Sequence, residues 1–198
     1  MSSMSSTTLI IGFCGYARSG KDTACEFMLK NLKHKNRSTK IYSFGDSLRS
    51  FAFDLNVYIP ELKMYYQDII NLHGYENAKD NFPEFRSHLV KIGNGARKNI
   101  SQDIWLNSVK EKIEKDNCDV ALIKDVRYSN EVEFILNNGG IIVYIDRLNN
   151  GPSNNVEKES IKKIINKFND CDNFITVENK GDIKSFHQEL IYKKIIKS

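Results

Sequence analysis

Leu9-Ile-Ile-Gly-Phe-Cys14 leads directly into Gly15-Tyr-Ala-Arg-Ser-Gly20-Lys21-Asp22-Thr23. Apolar and small residues run into a glycine, four residues follow, and Gly-Lys closes the run. This is the G-x-x-x-x-G-K spacing of a phosphate-binding loop set between a buried strand and a helix. The chemistry requires the layout. The two glycines let the backbone curl until successive N–H groups point at phosphate oxygens. Lys21 adds a mobile positive charge, and the N-terminus of the following helix adds a partial one. Position 22 departs from the general pattern, which places Ser or Thr there to meet a magnesium ion; here it is Asp. An acidic residue in the first turn suits the helix dipole. It also suits magnesium, as a carboxylate standing in for the hydroxyl directly or through water, and that is the expectation for Asp22.

The chain of 198 residues is long enough to bury a proper core without disulfides or metal staples. Hydrophobic residues make up 40% and charged ones 27%, as in ordinary globular proteins. The net charge of +4 suits anionic small substrates and is too weak and dispersed to indicate nucleic acid. Apolar runs fall far short of a membrane span, and no secretory signal precedes the first strand, so the expected setting is the cytoplasm. The four cysteines (Cys14, Cys25, Cys118 and Cys171) form no C-x-x-C pair, which argues against a zinc site and a disulfide framework. Residues 1–8, rich in Ser and Thr, read as a disordered leader to a single domain over 9–198.

Beyond the loop, Thr23 to Lys33 has helical spacing, and Lys40 to Phe44 reads as a second strand ended by Gly45-Asp46. From Asp46 to about Lys115 the pattern is helical and loop-like with no convincing strand. Ser47 to Leu55 and Ser101 to Ile113 are its clearest helices. Asp119 to Lys124 is a third buried strand, stopping at Asp125-Val-Arg127. A helix over Asn130 to Leu136 precedes a fourth strand, Gly140 to Ile145, which ends at Asp146-Arg147. A helix from about Glu157 to Phe168, a fifth strand over Asn173 to Val177 and a helix from Ile183 to Ile196 complete the chain. The last helix is expected to bury Phe186, Leu190 and Ile191. Alternating strands and helices with near-continuous apolar strands predict an α/β fold: a five-stranded parallel sheet with helices on both faces. Ligands of such sheets bind at the carboxyl ends of the strands. The loop, Asp46, Asp125, Arg127 and Arg147 all fall at strand ends in this reading.

Asp125 ends a buried strand, where the acidic magnesium residue of a phosphate-loop enzyme belongs; an ordinary turn is the alternative. Arg127 has the choice of a salt bridge with Glu131 or Glu133, or of neutralising phosphate charge. Arg147 has the choice of a lid arginine or a surface charge. Arg49, Arg86 and Arg97 are ordinary surface cations taken singly and an anion clamp taken together. Trp105, Phe82, Phe85, Tyr65 and Tyr66 are core candidates, one of which could stack on a base. The histidines are scattered.

Arg18-Ser-Gly-Lys-Asp-Thr23 resembles the phosphate loop of the deoxynucleoside monophosphate kinases of bacteriophages and other viruses. Ser43-Phe-Gly-Asp-Ser-Leu-Arg-Ser-Phe-Ala52 is similar to that family's segment after the second strand. Arg86-Ser-His-Leu-Val-Lys-Ile-Gly93 with Arg97 and Asp103-Ile-Trp105 is similar to its R-x-L-x-Q-x-x-G … R … W helix. Asp125-Val-Arg-Tyr-Ser-Asn-Glu131 is similar to its D-V-R-x-x-N-E motif, and Asn173 to Gly181 to its last strand and the N-x-G after it. Two departures matter: the family's Gln is Val90, and the His of its lid H-x-x-E is Val156, with Glu159 matching the acidic residue.

The resemblance implies an adenylate-kinase-like P-loop fold that phosphorylates a deoxynucleoside monophosphate with ATP and Mg2+. It implies a helical acceptor-binding region at about 46–115 and a short lid at about 147–160. Gly15, Arg18, Ser19, Gly20, Lys21, Asp22 and Thr23 would hold the ATP phosphates, with Asn179 near the adenine. Asp22 and Asp125 would manage magnesium. Asp46, Arg49, Arg86, Arg97 and Trp105 would face the acceptor, and Lys21, Arg127 and Arg147 the transferring group. No nucleic-acid or membrane partner is expected, a homodimer is admissible, and the host cytoplasm is the setting if the protein is viral. The S-G-K-D loop and D-x-R strand end also resemble those of animal phosphomevalonate kinases, which leaves another phosphorylated acceptor as an alternative. A nucleotide-binding regulatory protein without turnover is the third reading.

Overall fold

The computed structural model describes residues 8–193 and 195. The Ser/Thr-rich start over 1–7 and the predicted end of the last helix at Ile196 lie outside those residues. In chain order, β1 (Leu9–Cys14) leads through the glycine loop into α1 (Lys21–His34), and β2 (Thr39–Tyr42) into α2 (Phe44–Leu55). A hairpin of two short strands follows, β3 (Tyr58–Ile59) and β4 (Met64–Tyr65). Four helices come next: α3 (Tyr66–His73), α4 (Tyr75–Asn81), α5 (Pro83–Asn99) and α6 (Ile104–Asp116). The remainder alternates as β5 (Val120–Val126), α7 (Ser129–Asn137), β6 (Ile141–Arg147), α8 (Asn155–Phe168), β7 (Phe174–Asn179) and α9 (Ile183–Tyr192). The chain divides into two compact units, one running up to Ser43 and resuming at Lys110, the other Phe44–Val109.

The first unit is an α/β layer structure around a five-stranded parallel sheet in the order β2-β5-β1-β6-β7. β1 lies at its centre, with Ile11 paired to Leu122 on one side and Ile141 on the other. Its residues are buried on both faces, which is why the strand reads as an unbroken apolar run. Ile11 and Phe13 pack with Met28 and Leu32 of α1 and Phe186 and Leu190 of α9. On the opposite face Gly12 meets α7. A Cβ there would stand 2.5 Å from Ile135 Cδ1, so only glycine lets the helix approach this closely. The chain leaves β1 toward β2 on one side, with β5 later inserted between them, and β6 and β7 add on the other. The carboxyl end of β1 is therefore the point where strand order reverses, the usual place for a ligand in an open α/β sheet. With the glycine loop at that point, the unit has the P-loop fold.

The second unit is helical, with a core of Ala52, Ile59, Tyr66, Ile69, Ala78, Phe85 and Leu89. Tyr66 and Phe85 stack with centroids 4.6 Å apart. Pro83 opens α5, where its missing N–H costs nothing. Among the described residues no helix is long and apolar enough to cross a membrane.

Three expectations need correction. The second strand ends at Tyr42, not Phe44: Tyr42 makes the last register pair with Ile123, and Phe44 is buried as the first residue of α2. Asp46 is consequently an exposed residue in the first turn of α2 rather than a strand-end group. The region after the second strand does contain strand, the two-residue pairs of β3 and β4. In α9, Phe186 and Leu190 share a face at i and i+4, whereas Ile191 is turned off it and is 62% exposed.

Candidate phosphate-binding site

Gly15 and Gly20 shape the loop in ways other residues would not. Gly15 has φ 141°, and a Cβ there would lie 2.6 Å from the Ile145 carbonyl oxygen. Gly20 has φ 107°, and its Cβ would meet the Asn179 amide nitrogen at 2.7 Å. Between them Arg18 takes a left-handed conformation, φ 61°, and the Ser19 N–H donates to the Tyr16 carbonyl at 3.1 Å. α1 then starts at Lys21, with Asp22 exposed in its first turn. The Lys21 ammonium folds back over the loop and donates to the carbonyls of Gly15 (2.8 Å) and Tyr16 (2.6 Å). Burial lowers the Lys21 pKa, and the Arg127 charge lowers it further, against the pull of Cys14, Glu157 and Asp22. A cation held under that pressure gains from an arriving anion. Ser19 is 1% exposed, and its hydroxyl finds no partner among the described residues. Beneath the loop, burial pushes the Cys14 thiol up to about 12, so it is a neutral packing group.

The ends of β6 and β7 meet this loop. Asn179, the last residue of β7 and 7% exposed, donates from its side-chain amide to the Ser19 carbonyl at 2.8 Å and accepts from the Gly181 N–H at 2.9 Å. It thus fixes the loop just before Gly20. Arg147, the last residue of β6, donates to the Arg18 carbonyl at 2.7 Å. Asn150 donates to the Ala17 carbonyl at 3.0 Å. The Ala17 N–H donates to Glu157 Oε1 at 2.9 Å, while Glu157 Oε2 accepts from the Ser153 N–H and hydroxyl at 2.7 and 2.9 Å. Burial alone would raise the Glu157 carboxyl; the Ser153 and Ala17 bonds and the Arg127 charge together hold it below its ordinary value.

At the end of β5, Asp125 accepts from the Ser43 hydroxyl at 2.7 Å. Arg127 follows with an exposed side chain; its backbone N–H and that of Tyr128 donate to Glu131 Oε2 at 2.7 and 3.0 Å. Glu131, 3% exposed, therefore ties the turn into α7, and Glu133 pairs with Lys167 instead of Arg127. The Asp125 and Asp22 carboxylates both act on the Cys25 thiol, so both lie within electrostatic range of that one sulfur. Among the described residues no three candidate metal ligands cluster. Two carboxylates are enough for magnesium, which keeps waters and takes its other ligands from phosphates.

The remaining predicted residues belong to the second unit. Arg49 pairs with Asp46 at 3.2 Å and lies over the Tyr75 ring, 4.8 Å from its centroid. An open groove there is lined by Arg49, Ser50, Phe53, Ile70, Tyr75 and Glu76. Arg86 is exposed on α5, and the Arg97 guanidinium lies beside Gly93. Trp105 is 4% exposed, donates its indole N–H to the Gly93 carbonyl at 3.3 Å and packs near Phe51.

Ser43, Asn150 and Glu157 were not singled out from sequence. Asn154 and Glu157 stand three apart before a helix, the spacing of a capping pair, and that was the readable signal. Nothing local marks Ser43 or Asn150.

No protein-family model matches the chain, and no curated protein does. Among solved structures, TT1252 from Thermus thermophilus aligns over 94% of this chain and 96% of its own, at 13% identity and a TM-score of 0.48. A dephospho-CoA kinase from Campylobacter jejuni aligns over 93% and 95%, at 14% identity and a TM-score of 0.48. A gluconokinase from Sinorhizobium meliloti aligns over 93% and 90%, at 9% identity and a TM-score of 0.45. These likenesses are distant, and the fold is read from the strand order, the registers and the loop themselves.

Proposed function

We propose that the chain is a kinase that moves the terminal phosphoryl group of ATP onto a small phosphorylated acceptor, and that the acceptor is a deoxynucleoside monophosphate. The observation that carries this reading is the loop Gly15–Lys21 at the reversal point of the sheet, with Lys21, Arg147 and Asn179 on its backbone. Phosphoryl transfer asks little covalent chemistry of a protein; it needs positioned cations and amide donors around the phosphates. In this proposal the N–H groups of Arg18 to Thr23 and the Lys21 ammonium hold the ATP phosphates. Asn179 supports the loop from the side on which the resemblance expects the adenine.

Asp22 and Asp125 would hold Mg2+ together with phosphate oxygens and water, and their hard oxygen donors fit that ion. When bound, the ion neutralises charge on the phosphates. Arg127 and Arg147 would face the transferring group, and the segment at about 147–160 would be the lid. Phe44–Val109 would hold the acceptor through Asp46, Arg49, Arg86, Arg97 and Trp105. The choice of a deoxynucleoside monophosphate is supported by the five motifs quoted from the sequence.

The test is to incubate the protein with ATP and magnesium against a panel of acceptors and to follow ADP. The panel holds each deoxynucleoside and ribonucleoside monophosphate, phosphomevalonate and dephospho-CoA. ADP release dependent on a deoxynucleoside monophosphate is the expected result. Turnover with phosphomevalonate alone would move the assignment to another small-molecule kinase. ATP binding without turnover of any acceptor would make the chain a nucleotide-binding regulatory protein.

A further inference from the structure

Glu157 lies in the first turn of α8, where Asn154 caps the helix by accepting from the Glu157 N–H at 2.9 Å. A carboxylate there needs only to bond back to the preceding turn, and Oε2 does so through Ser153. The other oxygen is used differently. Oε1 takes the N–H of Ala17, 140 residues away and inside the glycine loop. Backbone N–H groups are what such a loop offers to phosphate oxygens. A carboxylate oxygen thus already sits on one of them. The surrounding charges fit: the Glu157 charge is felt at Lys21, and Arg127 in turn favours the charged carboxylate. A loop amide, the loop lysine and an arginine form the donor set that receives a phosphate in phosphoryl transfer.

We propose that Glu157 is a specificity-determining competitor of the nucleotide's terminal phosphate: its carboxylate holds the Ala17 N–H and is displaced when that phosphate arrives. This rests on the reading of the loop as a nucleotide-phosphate site. Two anions this close to one donor set repel each other, so one must leave. The lysine of such a loop serves the β- and γ-phosphates, and the Glu157 carboxylate acts on that lysine; of those two phosphates, the carboxylate is set against the terminal one in this proposal. ATP meets it; ADP, one phosphate shorter, meets it less. Displacement also frees the segment 148–157 from one of its bonds to the loop. The Arg147 and Asn150 bonds to the Arg18 and Ala17 carbonyls remain. Occupancy of the loop is thereby transmitted to the lid segment by an exchange of one anion for another.

Titration calorimetry with ATP and with ADP tests this on the full chain, with melting curves to confirm that each variant is folded. Glu157→Gln keeps the shape, removes the charge and turns an amide donor toward Ser153. It is expected to tighten ATP about fivefold, the scale of exchanging a charge-assisted for a neutral hydrogen bond, and to tighten ADP less. Ser153→Ala, which removes the hydroxyl bond to Oε2 but keeps the backbone N–H bond and the charge, is expected to leave ATP within about twofold of the unaltered chain. Glu178→Gln removes an exposed charge paired, among the described residues, with Lys180 at 3.4 Å and is expected to leave both affinities unchanged. Unchanged or weaker ATP binding in Glu157→Gln overturns the proposal. So does equal tightening of ATP and ADP, or tightening by Glu178→Gln of the same size. Absence of nucleotide binding in the unaltered chain is a different result: it sinks the phosphate reading of the loop and the competitor with it.

Discussion

In the sheet unit, Lys21, Arg147 and Asn179 are fixed by backbone carbonyls of one loop, whereas in the helical unit Arg49 leans on other side chains, Asp46 and the Tyr75 ring. Backbone partners set by a tight glycine turn cannot drift without moving the turn. A surface ion pair and a ring contact contribute roughly 0–1 kcal/mol each and rearrange easily. In the proposed reading the sheet unit is therefore a preformed anion site. The helical unit is an adaptable surface on a packed aromatic core. Substitutions in the first should remove chemistry without removing the fold, and substitutions in the core of the second should do the reverse.

The widest separation is expected for Lys21→Ala. Loss of the cation from a phosphate-transfer site should lower kcat/KM by roughly 10³-fold, while circular dichroism shows a folded chain. A variant retaining a tenth of the activity would remove Lys21 from the chemistry. The pH dependence sharpens the same point. Lys21 has a pKa below its ordinary value in the folded chain. Between that lowered pKa and the unfolded one near 10.4, the unfolded state binds more protons, so stability contributed by this residue rises with pH. Phosphate affinity needs the protonated form and falls over the same window. Nucleotide binding and melting temperature should thus move in opposite directions as pH climbs toward the lysine range, and parallel movement would exclude Lys21 as the titrating group.

Phe85→Ala is the counterpart in the helical unit. Phe85 is fully buried and stacks on Tyr66. Truncation should cost about 3–5 kcal/mol through lost burial and the cavity left behind, read as a lower urea midpoint for this unit. The glycine loop is not part of that core, so ATP binding should persist at urea concentrations where the helical unit has melted. Simultaneous loss of both would show that the units unfold as one.

A smaller and more local effect belongs to Asn179→Ala, which leaves the Ser19 carbonyl and the Gly181 N–H without partners. The expected cost is about 1–3 kcal/mol of stability, together with weaker nucleotide binding as the loop loosens. Asn179→Asp keeps an acceptor for Gly181 but cannot donate to Ser19, so it should restore part of the stability and none of the affinity. Full recovery by the aspartate would mean that the loop does not depend on this bond.

The same contrast governs what could be read from the chain. Glycine spacing, the strand before it and the helix after it are local, and they sufficed for the fold and for placing Gly15 in the loop and Lys21 and Asp22 in the first turn of the helix after it. The contact of Asn179 with Ser19 spans 160 residues and that of Glu157 with Ala17 spans 140. No periodicity records such pairs. The end of β2 was misread because Phe44 continues an apolar pattern, and only tertiary burial assigns it to α2. Strands β3 and β4, two residues each, are too short to alternate visibly. In the helical unit the arginines were visible as types, but Arg49 lying over Tyr75 depends on how α2 and α4 pack.

The least effect, and the finest test, comes from two buried hydroxyls. Ser19 Oγ and Tyr66 OH are the side-chain polar atoms that are buried without a partner among the described residues. The chemistry is alike and the settings differ. Tyr66 is sealed in the aromatic core, where burial pushes its phenol above the ordinary value. Ser19 lies in the loop, between Gly15 and Gly20. An unpaired buried hydroxyl costs stability in either place. Removing it from the core should restore some: Tyr66→Phe keeps the stack on Phe85 and should leave stability unchanged or raise it by up to about 1 kcal/mol. Ser19→Ala should be equally harmless to folding and yet weaken ATP, if the cost of its orphaned hydroxyl is retained for a phosphate oxygen. A destabilised Tyr66→Phe would reveal a partner for the phenol. A Ser19→Ala chain with undiminished ATP affinity would place Ser19 with Tyr66, as packing without a ligand.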